Sequence, residues 1–243
     1  MIALNRVHQL DAFEGLSQLP DCSVDLVVTD PPYGIASPSR TTIRKGEVMS
    51  TKRAWGAWDT FAHPFDYDVM ILRLISECYR VLKPGGALYM YLARENCGYF
   101  IRHAVARGFT YRNELALVKT TPLPSLHKKN WRSAFELCMY MVKGPRPATF
   151  NFVSQRECTN TYPHASRVRH TDHPTEKPLE MIRRIVRVSS HPGDLVLDPF
   201  MGSGTTAAAC VETGRRFVGF ETSGEYVRMA EARIAASRPA EAA

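Results

Sequence analysis

A run of mostly apolar residues, Val24-Asp25-Leu26-Val27-Val28-Thr29, stops abruptly at Asp30-Pro31-Pro32-Tyr33-Gly34. The run reads as a short buried strand. The loop cannot prolong it, because Pro31 and Pro32 fix φ and remove two backbone donors. Asp30 offers only acceptors at neutral pH, and Tyr33 gives a flat face with a polar tip. Acceptors beside an aromatic plate suit a planar ring bearing an exocyclic amine. The same residues also make an ordinary strand-ending turn with Tyr33 capping the core. The tetrapeptide alone does not separate these readings.

The neighbouring segments set the fold class. Ile2–Val7 is a weak strand, and Asp11–Leu19 is a short helix ended by Pro20. Asp66–Leu82 is the strongest helix, with Ile71, Leu74, Ile75, Cys78 and Leu82 at helical spacing. Lys83-Pro84-Gly85-Gly86 stops it as a turn. Strand Ala87–Leu92, helix Cys97–Ala106 and strands Phe109–Lys119 and Ala134–Val142 follow. Residues 144–172 show no period and read as a surface insertion. Helix Pro178–Ser189, strand Leu195–Leu197, a glycine loop opening a helix through Cys210, strand Arg216–Phe220 and helix Gly224–Ala235 complete the order. The tail from Ser237 frays. Of seven strands, six alternate with helices and are predicted to be parallel; the one reached through a bare loop is predicted to be antiparallel. This is a doubly wound α/β sheet in a single domain spanning 1–243, with insertions at about 34–66 and 120–172.

Composition narrows the setting. No apolar run approaches the ~20 residues that span a bilayer, and Met1–Arg6 lacks a signal-peptide core. The six cysteines are scattered without a C-x-x-C pair, which points to a reducing cytoplasm and away from a cysteine zinc site. His164, His170 and His173 cluster loosely without helical ligand spacing, so no metal is expected. The net charge of +7 is uneven. Residues 120–170 carry +6 and residues 34–66 carry +2, so the remainder is −1. Excess positive charge confined to insertions on a near-neutral scaffold is the footprint of a polyanion partner. Trp55 and Trp58 fall in the first insertion, as a satellite core or a ligand platform.

The second candidate site is Asp198-Pro199-Phe200-Met201-Gly202-Ser203-Gly204-Thr205-Thr206. Glycines at a helix start let a ligand approach the backbone and the unpaired N–H groups. Glu221 follows 17 residues beyond Gly204, at the end of the next strand, where a carboxylate can grip ribose hydroxyls. With Ala207 the loop also satisfies Gly-x-Gly-x-x-Ala, so a nicotinamide dehydrogenase is a rival. Only 36 residues follow Ala207, too few for the rest of a dinucleotide fold. The acidic, bulky Asp198-Pro199-Phe200 lead-in also disfavours a pyrophosphate.

Asp30-Pro31-Pro32-Tyr33 followed by Asp198-Pro199-Phe200-Met201-Gly202-Ser203-Gly204-Thr205 resembles the S-adenosylmethionine-dependent amino-methyltransferases of DNA. The base loop precedes the cofactor loop with a basic segment between, as in the circularly permuted β-class arrangement. Asp11, the Leu82–Gly86 turn and His173-Pro174-Thr175-Glu176-Lys177-Pro178 resemble further family segments; many members have Gln at the position of Glu176. The matches span most of residues 5–225. The resemblance implies a Rossmann-like methyltransferase fold. It implies cofactor contacts from Asp11, Asp30, Thr175, Lys177, Asp198, Phe200, Gly202, Ser203, Gly204, Thr205 and Glu221, and transfer at Asp30, Pro31, Pro32 and Tyr33. Asp at the position of Asp30 goes mostly with adenine N6 in the family, and Ser mostly with cytosine N4. Adenine is therefore favoured and cytosine N4 is the alternative. Relatives are often dimers, which makes a homodimer an expectation by analogy. A restriction–modification setting in a bacterial or phage-infected cell is implied too.

The chemistry that the resemblance implies can be derived beside it. An exocyclic amine on a base is a poor nucleophile, because its lone pair is delocalised into the ring. Hydrogen bonds from its protons to Asp30 and the Pro31 carbonyl would hold it and turn the lone pair toward the methyl group. The sulfonium carries the reactivity, so the protein mainly orients and desolvates. Tyr33 would stack on the base, which must first be flipped out of the duplex. Arg40, Arg44, Lys45, Lys52, Arg53, Lys128, Lys129, Arg132, Arg167 and Arg169 are the candidate phosphate contacts. An inert DNA-binding module on the same scaffold is disfavoured, because Asp30, Tyr33 and the glycine loop are all intact.

Overall fold

The computed structural model describes residues 2–34, 41–44, 47–50, 61, 63–122, 124, 128–164 and 176–238. The strands are β1 (Arg6–His8), β2 (Val24–Thr29), β3 (Thr41–Arg44), β4 (Glu47–Ser50), β5 (Leu82–Leu92), β6 (Phe109–Lys119), β7 (Phe135–Lys143), β8 (Thr161–His164), β9 (Leu195–Asp198) and β10 (Arg216–Phe220). The helices are α1 (Ala12–Ser17), α2 (Pro64–Val81), α3 (Cys97–Ala106), α4 (Leu179–Ser189), α5 (Thr205–Thr213) and α6 (Gly224–Ser237).

Eight strands form one sheet in the order β1-β10-β9-β2-β5-β7-β6-β8, and β3 and β4 form a separate hairpin. The prediction of seven strands is therefore corrected to eight. The missed strand, β8, lies inside the stretch read as an irregular insertion. It is four residues long, contains Pro163, and pairs only with β6 at the sheet edge. Proline is tolerated on an edge strand, and so short a polar segment shows no period. β7 is antiparallel to both its neighbours, and every other pairing in the sheet is parallel.

Lys83–Gly86 does not end the strand–helix unit as a free turn. β5 already begins at Leu82, and its register against β2 jumps from Val24↔Leu82 to Leu26↔Ala87. The extra residues bulge out of the ladder at Gly85, whose φ is +79°. Lys83 pins the bulge through Asp25 Oδ1 at 2.7 Å.

Side chains alternate across the central strands. Val27, Leu88, Met90, Leu197 and Val218 pack with Leu16 of α1, Ile71, Leu74 and Ile75 of α2, and Phe100 of α3. Leu26, Val28, Tyr89, Val196 and Phe217 pack with Ile182 and Ile185 of α4, Ala209 of α5 and Ala230 of α6. Each face of the sheet thus carries its own layer of three helices. α2 starts at Pro64, earlier than its apolar spacing indicates. His63 accepts from the Phe65 N–H, and Asp66 accepts from the His63 N–H, a reciprocal cap.

The sheet order also positions the site. β9 and β2 are parallel neighbours, with Leu26↔Val196 and Val27↔Leu197. From β9 the chain winds through α5 to β10 on one side; from β2 it winds through α2 to β5 on the other. The winding reverses between these two strands, and ligands of doubly wound sheets bind at such a point, beyond the carboxyl ends.

Candidate active site

Asp30 and Asp198 stand at this reversal, at the carboxyl ends of β2 and β9. Pro31 and Pro32 are buried, which fixes the loop's path, while Asp30 and Tyr33 are half-buried. The Tyr33 hydroxyl donates to Asp30 Oδ1 at 2.7 Å. Lys177, just before α4, donates to Asp30 Oδ2 at 2.5 Å and lies 3.4 Å from the Tyr33 hydroxyl. Lys177 also meets Glu136 Oε2 at 3.2 Å, and Glu136 Oε1 meets Lys119 Nζ at 2.5 Å.

Burial pushes the Asp30 carboxyl up, and the Lys177 ammonium opposes the rise. Burial acts against the charged form of Lys177, but Asp30 and Glu136 outweigh it and hold the ammonium protonated. Burial likewise acts against ionised Glu136, yet Lys177 and Lys119 bring its carboxyl down to about 2. The group is a charge-alternating cluster in which Asp30 is the member nearest the reversal point.

The glycine loop is built by close approach. Gly204 has φ +82°, and a Cβ there would stand 2.7 Å from the Ala230 Cβ. Only glycine lets α5 begin so near α6. Glu221 accepts from the Gly202 N–H at 3.0 Å and from the Ser223 N–H at 2.8 Å, so it sits at the turn the loop makes. Asp198 turns into its own loop, accepting from Thr206 Oγ1 at 2.7 Å and the Phe200 N–H at 3.1 Å. Burial pushes its carboxyl up to about 7, and the charge of nearby Asp30 adds to the rise. Ser203 and Thr205 are buried, and the Thr205 hydroxyl is taken by Arg233 at 2.8 Å.

The structure thus brings together Asp30, Tyr33 and Lys177, and separately Gly202, Gly204 and Glu221, on one edge of the sheet. Tyr33 and Phe200 lean to opposite faces of that edge. Tyr33 packs on the α4–α6 side and Phe200 on the α1–α3 side, although their loops leave adjacent strands. Asp11 caps α1, accepting from the Phe13 N–H at 2.8 Å; β1, which precedes it, pairs with β10 beside Glu221. Lys177 is engaged by carboxylates rather than standing free for a cofactor.

Lys128 and Lys129 are exposed on the loop after β6, which ends at the same edge as β2. Arg132 donates to the Pro122 carbonyl on that loop. Arg44 ends β3. Arg40, Lys45, Lys52, Arg53, Trp55, Trp58, Arg167, Arg169, His170, His173 and Thr175 lie outside the described residues.

Glu136 is not among the residues that the sequence singles out. Its signal was an ionisable side chain inside the apolar run Phe135–Val142, where a charge needs a partner. Among the described residues, no group of three His, Cys, Asp or Glu could hold a metal ion, and no helix is long and apolar enough to cross a membrane.

The chain is similar to known proteins over most of its length. The DNA methylase model for N6 and N4 methyltransferases matches residues 24–232. The Type II methyltransferase M1.MboII of Moraxella bovis is 28% identical over 270 residues, covering 95% of this chain and 96% of its own. The crystal structure of the M1.HpyAVI–SAM complex is similar at TM-score 0.70 and 25% identity, over 94% of this chain and 98% of that one. PvuII DNA methyltransferase, described as cytosine-N4-specific, shares the fold at TM-score 0.73 and 20% identity, over 93% of this chain and 85% of that one.

Proposed function

This chain belongs to the N6/N4 DNA methylase family, and we propose that it methylates the exocyclic N6 of adenine at a specific site in duplex DNA. The observation that carries this reading is the placement of the Asp30 carboxylate beside the glycine loop, where the sheet reverses its winding.

S-adenosylmethionine is the cofactor, and its sulfonium supplies an activated methyl group. The residues present fit it. The glycine loop brings the start of α5 to the carboxyl end of β9, and Glu221 offers a half-buried carboxylate at that turn for ribose hydroxyls. Asp30 has acceptor capacity left on both oxygens after Tyr33 and Lys177 are served, since a carboxylate has about four lone-pair sites. It can therefore accept from the amine of a flipped base and hold the nitrogen in line for attack. Tyr33 supplies the stacking face. The basic loops within 34–66 and 120–172, outside the sheet strands β7 and β8, face DNA on one catalytic domain, and the enzyme works in the cytoplasm of a bacterial or phage-infected cell.

Asp at position 30, rather than Ser, favours adenine over cytosine. The test is transfer of labelled methyl groups to unmethylated genomic DNA, followed by digestion and chromatography. N6-methyladenine is expected; N4-methylcytosine would overturn the choice of base, and no transfer would overturn the activity. Asp30→Ala is expected to abolish transfer and leave cofactor affinity nearly unchanged.

A further inference from the structure

We propose that Glu136 and Lys177 are positioning residues for methyl transfer, which set how strongly the Asp30 carboxylate accepts hydrogen bonds from the target amine. The inference rests on the reading of Asp30 as the amine's acceptor.

The geometry is a chain of alternating charge. Lys119 ends β6, Glu136 is the second residue of β7, Lys177 precedes α4 and Asp30 follows β2. Glu136 divides its oxygens between Lys119 at 2.5 Å and Lys177 at 3.2 Å, and Lys177 meets Asp30 at 2.5 Å. Two ammonium groups and two carboxylates sum to zero. The Lys177 side chain is only 9% exposed and lies 4.8 Å from the Tyr91 ring centroid and 5.5 Å from that of Tyr33. Anions and ring faces there take the place of water around a buried cation.

Removing Lys177 would leave Asp30 buried beside the like charge of Glu136. Burial already favours the protonated carboxyl, and the proton would stay on toward neutral pH. A protonated carboxyl donates to the amine nitrogen and occupies the lone pair that must attack the methyl group. Glu136 acts in the opposite sense. Its charge raises the proton affinity of Asp30 and shares the pull of Lys177, so Asp30 remains a strong acceptor.

Other groups face this cluster. Tyr33, Tyr91 and Cys138 lie near Asp30, and burial keeps all three protonated. Asp198 also neighbours Asp30 and loses its own proton near 7. His164 of β8 faces Glu136 and Lys119, and burial pushes its imidazole down.

The test is the pH profile of single-turnover methylation, with unmethylated genomic DNA and saturating cofactor, from about pH 5.5 to 9. Lys177→Met is expected to move the acidic limb upward by about 1–3 pH units, with activity recovering at high pH. Glu136→Gln is expected to move the same limb downward by a smaller step and to lower the plateau rate. Lys177→Arg is expected to restore the limb. A limb owned by Asp198 would stay in place in both variants, and one owned by His164, which faces Glu136, would move in Glu136→Gln but not in Lys177→Met; either result overturns the proposal. So does movement of both variants in the same direction. Cofactor affinity is measured alongside: its loss in Lys177→Met with an unmoved limb would return Lys177 to cofactor binding. If Lys177→Met does not fold, the nearly isosteric Glu136→Gln decides by the sign of its shift in a His164→Asn background, where no imidazole next to Glu136 can supply the limb. Inactive wild-type protein, or an active Asp30→Ala, would instead defeat the underlying reading, so the two failures are distinct.

Discussion

Arg233 on α6 holds two separate segments at once: its Nη2 lies 2.9 Å from Glu176 Oε1, and its Nη1 donates to Thr205 Oγ1 at 2.8 Å. Both charged side chains are nearly buried, at 8% and 3% exposure. The contact ties the segment carrying Lys177 to the start of α5. Removing one side of a buried ion pair costs up to about 3–5 kcal/mol. Arg233→Met is expected to lower the denaturant midpoint by that order. The double variant Arg233→Met/Glu176→Gln is expected to regain part of the loss, because the buried carboxylate's charge is removed together with that of the guanidinium. Equal losses in the single and double variants would show that the Arg233 stem, not its charge, carries the effect.

Asp198 gives a signed dependence of stability on pH. Burial pushes its carboxyl from 3.8 to about 7. Below the lower value both folded and unfolded chains hold the proton, so it has no effect. Between the two values the unfolded chain has released a proton that the folded chain keeps, and stability falls as pH rises. The loss is complete above about 7 and reaches at most about 4 kcal/mol. Asp198→Asn has no proton to lose. Urea unfolding of both proteins at pH 5, 6, 7 and 8 is expected to show the gap changing in favour of the variant across this window. Parallel curves would mean that Asp198 is ionised throughout.

Glu221 is expected to govern cofactor affinity through two contributions. Its carboxylate holds the Gly202 and Ser223 N–H groups, at 3.0 and 2.8 Å, and it is the proposed acceptor of ribose hydroxyls. Hydrogen bonds to a charged group are worth about 1.5–3 kcal/mol each. Glu221→Ala is therefore expected to weaken cofactor binding by at least about 10-fold in titration calorimetry, and Glu221→Gln by less. An unchanged affinity in Glu221→Ala would remove the ribose role.

What the sequence made readable follows from how local each signal is. Ile71, Leu74 and Ile75 repeat at helical spacing because they line one face of α2, and the loop-only link between β6 and β7 identified the antiparallel strand. The glycine loop and Asp30-Pro31-Pro32-Tyr33 were readable because a tight turn limits which residues fit. The edge strand β8 was not, since its pairing with β6 comes from a distant segment and Pro163 obscures the strand pattern. The contact between Lys177 and Asp30 was equally hidden: the two are 147 positions apart, and only the sheet order brings them to one edge. The motif around Lys177 implies a cofactor contact by resemblance and carries no information about its pairing with Asp30 or Glu136.

Lys128 and Lys129 test whether the loop after β6 carries DNA. Both are exposed, and their loop leaves the edge where Asp30 stands. A phosphate contact adds affinity by releasing counterions, so losing it lowers both affinity and salt dependence. The double charge reversal Lys128→Glu/Lys129→Glu is expected to weaken DNA binding at all sequences alike. It is also expected to reduce the slope of log affinity against log salt by about 2, one for each lysine that meets a phosphate. Cofactor affinity is expected to be unchanged, because the loop after β6 lies four strands away from β9, which carries the glycine loop. Fluorescence anisotropy of labelled duplex over a salt series measures the slope directly. A variant with the wild-type slope would mean that these lysines face solvent in the complex, and that the phosphates are held elsewhere.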